Sequence, residues 1–363
     1  MFQLETFNAD PYSHFLLYGL RLRERQIQEL SPLESGNFYH DALDIISRQL
    51  LMYKKDLSEI SEKELQNVMT DVFNLLIDSN KYRVSRSSKR MEFMFRQLSN
   101  TVGNLVKSIL SQSKRSKYRI NKTELVFGQL GQSSDVRGLY FDLANGRKLQ
   151  LRGKVDRVDT FKQGNQLYAG IVDYKSSDTT FNYENIYYGL MLQMITYLDT
   201  VLTFSEDIFE EKAKGIGAFY STVKNNYIDL NKVGNKKLEA ERLKTYKFDG
   251  LIVDQRDVLE AADTVLDLKE NSPLYNLYLN KDGLYTGKKI LTEEEFNLLI
   301  QYNRTKIIEA GEKILSGVIH LSPFDHNKIR VHTPSITGPY RAISQFDALL
   351  PENNYRQVNK MDK

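Results

Sequence analysis

Cysteine is absent from the 363 residues of this chain, and proline occurs only seven times and histidine five. Without a thiol the chain forms no disulfide, ligates no zinc through sulfur and holds no Fe–S cluster, a composition that fits a cytosolic protein. Long apolar runs are missing as well. No stretch approaches the roughly 18 consecutive apolar residues that a membrane span requires. The opening MFQLETFNAD has neither the basic nor the apolar segment of a secretory signal. A phosphate-binding loop of the Gly-x-x-x-x-Gly-Lys-Ser/Thr kind is also absent, and GLYTGKK at 283–289 has the wrong spacing and no hydroxyl residue. The chain is therefore not expected to hydrolyse ATP by itself. Charge of one sign is scarce, with 50 Lys and Arg against 47 Asp and Glu for a net +3, so polyanion binding has to come from local basic patches.

What is present is a 41% apolar fraction, enough for an ordinary globular core in one large domain or two small ones. Residues 11–115 read mainly as helix. Ser35 is a candidate N-cap for GNFYHDALDIISRQLL, in which Phe38, Ala42, Ile45 and Ile46 recur at helical spacing. Further helices are expected at about 61–76 and 90–110. Between 122 and 176 the period changes. LYFDLA, Asn145-Gly146 and RKLQLRGKVDRVDTF predict a hairpin on a type I′ turn, and Gly164-Asn165 leads into QLYAGIVDYKSS to complete a three-strand meander. A helix over 183–204 and a strand over 214–223 follow. The stretch 224–290 reads as a charged, irregular insertion, 293–317 as a long helix closed by Gly317, and 321–363 has little regular signal.

The chemistry concentrates in GIVDYKSS, which carries Asp173, Tyr174 and Lys175, and in the preceding strand-like run LRGKVDRVD, which carries Asp156. Strand side chains alternate, so Asp173 and Lys175 share a face about 6.6 Å apart and Asp156 can converge there from the neighbouring strand. Two carboxylates that close repel, and one tends to protonate unless a divalent cation holds both ionised. Mg²⁺ suits such a site because it prefers oxygen ligands and keeps several waters, and Mn²⁺ can replace it. Lys175 would orient or deprotonate an attacking water and offset charge on a phosphoryl group, and the Tyr174 carbonyl could be a further ligand. Asp/Glu-x-Lys as a bare string also occurs at Glu210–Lys212 and Asp267–Lys269, where it reads as a solvated charged face. Only at Asp173 does it follow an apolar run (Ala169, Ile171, Val172) with a partner Asp one strand earlier.

Three further features are ambiguous on their own. Gln193 and Tyr197 lie four apart and share a helix face; they either contact a phosphate and position Lys175 or form a polar helix edge. His40 sits among apolar neighbours, where a lone helical histidine is more often a core or surface residue than a ligand, and His14, His320, His326 and His332 show no metal-ligand spacing. The basic runs KYRVSRSSKR (81–90) and KRSKYR (114–119) either track a DNA backbone or are solvated faces, and the 22 tyrosines include possible stacking platforms.

Taken in order, LETFNADPYSHFLLYGLRLRER, ESGNFYHDAL, ELVFG, LRGKVDRVD, VDYKSSDTTFNYENIYYGLMLQMITYLD, EAGEKILSGVIHLSPF and GPYRAISQFD resemble the C-terminal nuclease domain of the AddB/RexB subunit of bacterial helicase–nucleases, in the RecB-like branch of the PD-(D/E)xK superfamily. The resemblance covers most of the chain. It implies that His40, Asp156 and Asp173 are metal ligands, that Lys175 is the catalytic lysine, and that Gln193 and Tyr197 match the family's Gln-x-x-x-Tyr helix; Glu124 lies in a family-like segment without an assigned role. Many AddB proteins hold a 4Fe–4S cluster on four cysteines. Here the matching positions are Asp10, Ser335, Gly338 and Ser344, as expected for a cluster-free, RexB-type member. Residues near Asp10 and the tail around Pro339-Tyr340-Arg341 are then expected to associate by packing or polar contacts.

The expected fold is α/β, with a restriction-endonuclease-like core in which helices flank a mixed central sheet. The expected division is 1–120 as a helical part delivering His40, 121–223 as the core, 224–320 as insertion and long helix, and 321–363 as a tail packing back near the N-terminus. The expected function is Mg²⁺-dependent cleavage of single-stranded DNA in double-strand-break repair. The resemblance implies a partner subunit of the AddA/RexA helicase–nuclease type, cutting of the 5′-terminated strand, and a chain that is either an excised domain or a truncated form of a longer subunit. Two rivals differ in their requirements. A free-standing exonuclease of the Cas4-like kind would share the site but work well without a partner. A non-catalytic DNA-end-binding module would bind no Mg²⁺ or Mn²⁺.

Overall fold

The computed structural model describes residues 1–24, 32–52, 57–129, 134–177, 179–224, 245–268, 271–272, 274–275, 277–281, 284–287, 289–326, 329–330, 333–350, 353 and 355–357. Its centre is a six-stranded sheet. In chain order the strands up to residue 291 are β1 (Arg119–Phe127), β2 (Tyr140–Asp142), β3 (Lys148–Gln150), β4 (Gly153–Gln163), β5 (Gln166–Lys175), β6 (Ala213–Thr222), β7 (Phe248–Val253), β8 (Tyr278–Leu279), β9 (Tyr285–Thr286) and β10 (Ile290–Leu291). The central sheet runs β1-β4-β5-β6-β7-β10. The pairs β1/β4, β4/β5 and β6/β7 are antiparallel, whereas β5/β6 and β7/β10 are parallel. The sheet is thus mixed, as expected.

Strand β5 is buried on both sides and therefore reads as a nearly continuous apolar run. Its Tyr168, Val172 and Tyr174 face a helical layer made by α3 (Pro32–Met52), α4 (Glu62–Asp78) and α5 (Lys89–Ser113), with Phe38, Ile46, Val102 and Leu105 in that core. Its Ala169 and Ile171 face the opposite layer, where α1 (Phe2–Ala9) and two later helices supply Phe7, Met194, Ile195, Leu198 and Ile307. Between β5 and β6 the chain passes through α6 (Tyr183–Tyr187), α7 (Gln193–Thr203) and α8 (Ser205–Phe209). After β7 come α9 (Arg256–Ala262) and α10 (Glu293–Leu315). Ser61 and Thr292 start α4 and α10 with complete capping boxes, each closed by a glutamate three residues on. Among the described residues no helix is long and apolar enough to cross a membrane.

Several sequence expectations need correction. Helix α3 begins at Pro32, not after Ser35; proline fits the first helical position because its missing N–H would have no partner there. The hairpin turn is a three-residue 3₁₀ loop, Ala144–Gly146, with Gly146 at φ 69°, where a two-residue type I′ turn was expected. RKLQLRGKVDRVDTF is two strands, not one. Lys148–Gln150 pairs with Tyr140–Asp142 in a separate ribbon, and β4 starts anew at Gly153. The helix expected over 183–204 is broken between Tyr187 and Gln193, with Gly189 at φ 71°.

The stretch 224–290 is not wholly an insertion either. Its β7 pairs with β6 and its β10 with β7 inside the central sheet, so the sheet extends past residue 223. Residues 225–244, Lys269, Gly283, Lys288 and His332 lie outside the described residues.

At the other end of the chain, Asp10 is fully buried and caps helix α2 (Pro11–His14). Its Oδ2 accepts hydrogen bonds from Ser13 Oγ at 2.8 Å and Ser335 Oγ at 2.6 Å, and its Oδ1 accepts from Ser322 N at 3.2 Å. Ser344 donates to the Ser335 carbonyl, and the Tyr340 hydroxyl donates to the Leu22 carbonyl at 2.8 Å.

Candidate active site

Strand register gathers the polar residues into one row at the end of the sheet. Thr123 pairs with Arg157 and Leu125 with Val155, so Glu124 and Asp156 fall opposite each other across β1 and β4. Arg157 pairs with Val172, which sets Asp156 and Asp173 side by side at the next step. Asp173 then pairs with Tyr220, and Tyr220 with Asp249. Adjacent strands lie about 4.8 Å apart, so carboxylates arrive from three neighbouring strands within one short stretch of sheet edge. Helix α3 adds His40, whose Nδ1 is 3.3 Å from Asp156 Oδ1.

Each side chain in the row is held from outside it. Asp156 Oδ2 accepts the Tyr174 amide at 2.9 Å. The Tyr174 side chain turns away to the opposite face, its hydroxyl 3.4 Å from Arg157 Nη1, where Arg157 is clamped by both oxygens of Asp159. Gln193, the first residue of α7, bridges the two residues of the Asp-x-Lys pair. Its Nε2 donates to Asp173 Oδ1 at 3.2 Å, and its Oε1 accepts from Lys175 Nζ at 3.2 Å. Tyr197, one turn later, packs edge-on against Phe127 at 5.6 Å, and burial pushes its hydroxyl up to about 12. Lys175 Nζ also lies 2.6 Å from Asp173 Oδ2 and 5.6 Å from the Tyr220 ring centre.

The electrostatics are those of a crowded anionic pocket. Asp173 is 2% exposed, and burial, followed by repulsion from Asp156, raises its carboxyl from 3.8 to about 6 although Lys175 and His40 pull it down. Its Oδ2 makes no hydrogen bond of good geometry despite the nearby ammonium. Burial alone would lower the His40 pKa, but its hydrogen bond to Asp156 and the charges of Asp156 and Asp173 outweigh this and raise it. Glu124 pairs with Lys154 and has φ 53°, a left-handed conformation uncommon for a side-chain-bearing residue in a strand. Ligand atoms of His40, Glu124 and Asp156 all lie within 4.8 Å of one another. One imidazole and several carboxylate oxygens, one of them under-satisfied, form a donor set that fits a hard divalent cation.

Glu124 is a residue whose place sequence reading did not assign. Its signal was a carboxylate at the head of the apolar run Leu125-Val126-Phe127, and its meaning emerges only from the β1/β4 register. The basic runs behave differently. Lys81 pairs with Asp41, Arg86 with Asp78 at 2.8 Å, Lys89 with Glu92 at 2.9 Å and Arg115 with Asp263 at 3.0 Å, so four of their cationic side chains face a carboxylate of the fold.

A cluster of this composition, with Asp on one strand and Asp-x-Lys on the next, suits the end of a sheet in a restriction-endonuclease-like fold. The chain belongs to the PD-(D/E)XK nuclease superfamily, whose family profile matches residues 1–326. It is 36% identical, over 99% of its length, to the B subunit of the ATP-dependent helicase/deoxyribonuclease of Enterococcus faecalis, of which it covers 30%. The same-named protein of Latilactobacillus sakei is 36% identical over 99% of this chain and 31% of its own length, and that of Bacillus subtilis 33% over 98% and 30%. The chain thus spans about 30% of the length of these relatives.

Proposed function

We propose that this chain is the DNA nuclease part of a helicase–nuclease of this two-subunit kind. It cuts the 5′-terminated single strand delivered by a partner of the AddA/RexA helicase–nuclease type during double-strand-break repair in the cytoplasm. The observation that carries this reading is the row of Glu124, Asp156 and Asp173 on three adjacent strands, with His40 and Lys175 beside it.

His40, Asp156 and Asp173, with Glu124 and the Tyr174 carbonyl beside them, are the groups that would hold Mg²⁺ or Mn²⁺. Such an ion supplies Lewis-acid polarisation of a phosphoryl oxygen and lowers the pKa of a water. The protein's own groups do the rest. The Lys175 ammonium, 2.6 Å from Asp173 Oδ2, is fixed where negative charge builds on the phosphate and on the attacking oxygen. Gln193 restrains Lys175 and Asp173 together, so neither side chain has to reorganise when substrate arrives. Tyr197 lies one turn along on the same face of the helix as Gln193.

The test is cleavage of single-stranded DNA labelled at either end, with Mg²⁺, for this chain and its Lys175→Ala variant, alone and with the partner helicase–nuclease subunit. Cleavage that falls at least about a hundredfold in the variant supports the reading, and the labelled end that is lost reports polarity. Equal cleavage by both proteins, or none by either with the partner present, would overturn it.

A further inference from the structure

The residue at the hub of the site, Gln193, is the first residue of a helix that lacks a cap of its own. Leu192 stands at the N-cap of α7 in a helical conformation and offers no side-chain hydrogen bond. The first amides of a helix have no partner within it, and they carry the positive end of its dipole. Here a carboxylate from the far end of the chain meets them. Glu5 Oε1 on α1 accepts from Leu192 N at 2.7 Å and from Gln193 N at 2.9 Å, across 187 and 188 residues of sequence. One turn along the same helix, Asn8 Nδ2 donates to the Gly189 carbonyl at 2.9 Å. A β-carbon at Gly189 would collide with that Asn8 nitrogen. Helix α1 therefore grips both ends of the turn that breaks α6 from α7, and the residue emerging from that turn is Gln193.

We infer that Glu5 is a positioning residue for the nuclease reaction: by capping α7 it fixes the Gln193 backbone, and through Gln193 it sets Lys175 against Asp173. This rests on the nuclease reading above, and it assigns work to an N-terminal helix whose own contribution to the core is mainly Leu4 and Phe7. Three links carry it in series: two amides held by one carboxylate oxygen, one side chain bridging two charged groups, and those groups lying within 2.6 Å of each other. A displacement of α7 by an ångström at this point breaks both Gln193 contacts at once, and errors of that size cost on the order of a hundredfold in rate. What matters in this account is an acceptor at the right reach, so Gln should substitute for Glu better than the shorter Asp does.

The experiment uses the full 363-residue chain with its partner subunit and Mg²⁺. Turnover is measured for Glu5→Ala, Glu5→Gln, Glu5→Asp, Gln193→Ala and the Glu5→Ala/Gln193→Ala double variant. Amide hydrogen exchange is measured on the same proteins without DNA. Glu5→Ala should lower kcat about 10- to 100-fold with little change in KM. Glu5→Gln should recover most of that loss and Glu5→Asp should not. In the Gln193→Ala background, Glu5→Ala should cost less than about threefold more, because both act along one path. Exchange should speed up on the order of tenfold or more at residues 192–193 and stay unchanged across residues 167–175 of β5.

Multiplicative losses in the double variant, or Asp rescuing better than Gln, would overturn the inference, the latter by showing that charge near Lys175 and not capping is what Glu5 supplies. Unchanged exchange at 192–193, or a uniform rise through α7 and β5, would overturn it too. The exchange arm needs no cleavage. A wild-type protein that fails to cut DNA therefore counts against the nuclease reading and leaves the capping link to be decided separately.

Discussion

Replacing Asp173 with asparagine should make the metal-free protein more stable at neutral pH. Asp173 is 2% exposed, and its carboxyl is raised from 3.8 to about 6 by burial and then by the neighbouring Asp156. Between those two pH values the folded protein keeps a proton that the unfolded chain has released, so stability falls as pH rises through the window. The contribution is fully present below 3.8 and gone once pH passes about 6. Each unit of displacement corresponds to about 1.4 kcal/mol, so ionising Asp173 in the folded state costs about 3 kcal/mol at pH 7.5. Loss of the Lys175 ion pair is already contained in that figure, because its attraction pulls the carboxyl back down.

Asparagine imitates the protonated carboxyl. The variant should therefore exceed the wild type by up to about 3 kcal/mol in EDTA at pH 7.5, and by only about 1 kcal/mol at pH 4.5. Added Mn²⁺ at a hundred times its Kd should nearly close the gap, since it stabilises the wild type by about 2.7 kcal/mol and the variant far less, and at a thousand times Kd, about 4.1 kcal/mol, it should reverse the order. Urea denaturation followed by far-UV circular dichroism, at several pH values with EDTA or with Mn²⁺, measures all of this. A variant less stable than wild type at pH 7.5 in EDTA, or a gap that does not change with pH, would refute the argument that this carboxylate is held ionised at a cost that a cation relieves.

His40→Ala should weaken Mn²⁺ binding at least about tenfold by calorimetric titration. In the wild type the affinity should fall from pH 8 to pH 6, because the raised His40 pKa makes a proton the competitor for the ring nitrogen. Asp10→Ala should cost about 2–4 kcal/mol in urea denaturation, because it leaves the Ser13 and Ser335 hydroxyls and the Ser322 amide without their acceptor. Limited proteolysis should then place the new cleavage sites near the junction of the first 24 residues with the tail. Unchanged stability in that variant would show that apolar packing, and not the buried carboxylate, joins the two ends.

Local pattern carried the sheet and the helices that a short window can reveal. Strand β5 shows its apolar run and its Asp-x-Lys end within ten residues, and α10 shows a capping threonine, an acidic first turn and a terminal glycine in its own segment. Strand β7 failed the same reading. FDGLIV carries an aspartate and a glycine near its start, sits between charged segments, and becomes a strand by pairing with β6 and β10. The break between α6 and α7 was equally hidden. Gly189 is one glycine in an otherwise helical pattern, and what makes it a turn is Asn8 on a helix at the other end of the chain.

The same division separates the groups of the candidate site from what supports them. Asp156, Asp173 and Lys175 could be singled out because their residue types, strand context and spacing are all local. Glu124 could not, because an isolated glutamate in a strand acquires meaning only from the register that puts it across from Asp156. Glu5 is further still from legibility, since a carboxylate in the first turn of an N-terminal helix is ordinary until its two amide partners arrive from 187 and 188 residues away. Three carboxylates and an imidazole cannot crowd one sheet edge unless something holds them against their own repulsion. In this fold that work falls to backbone amides, to Lys154, to Lys175 and to Gln193. Most of these supports lie within about twenty residues of the groups they hold, whereas Glu5, which caps the helix carrying Gln193, comes from 188 residues away. Substitution of Glu5 should therefore act on turnover more than on folding, whereas truncation of Phe7 on the same helix should act on folding.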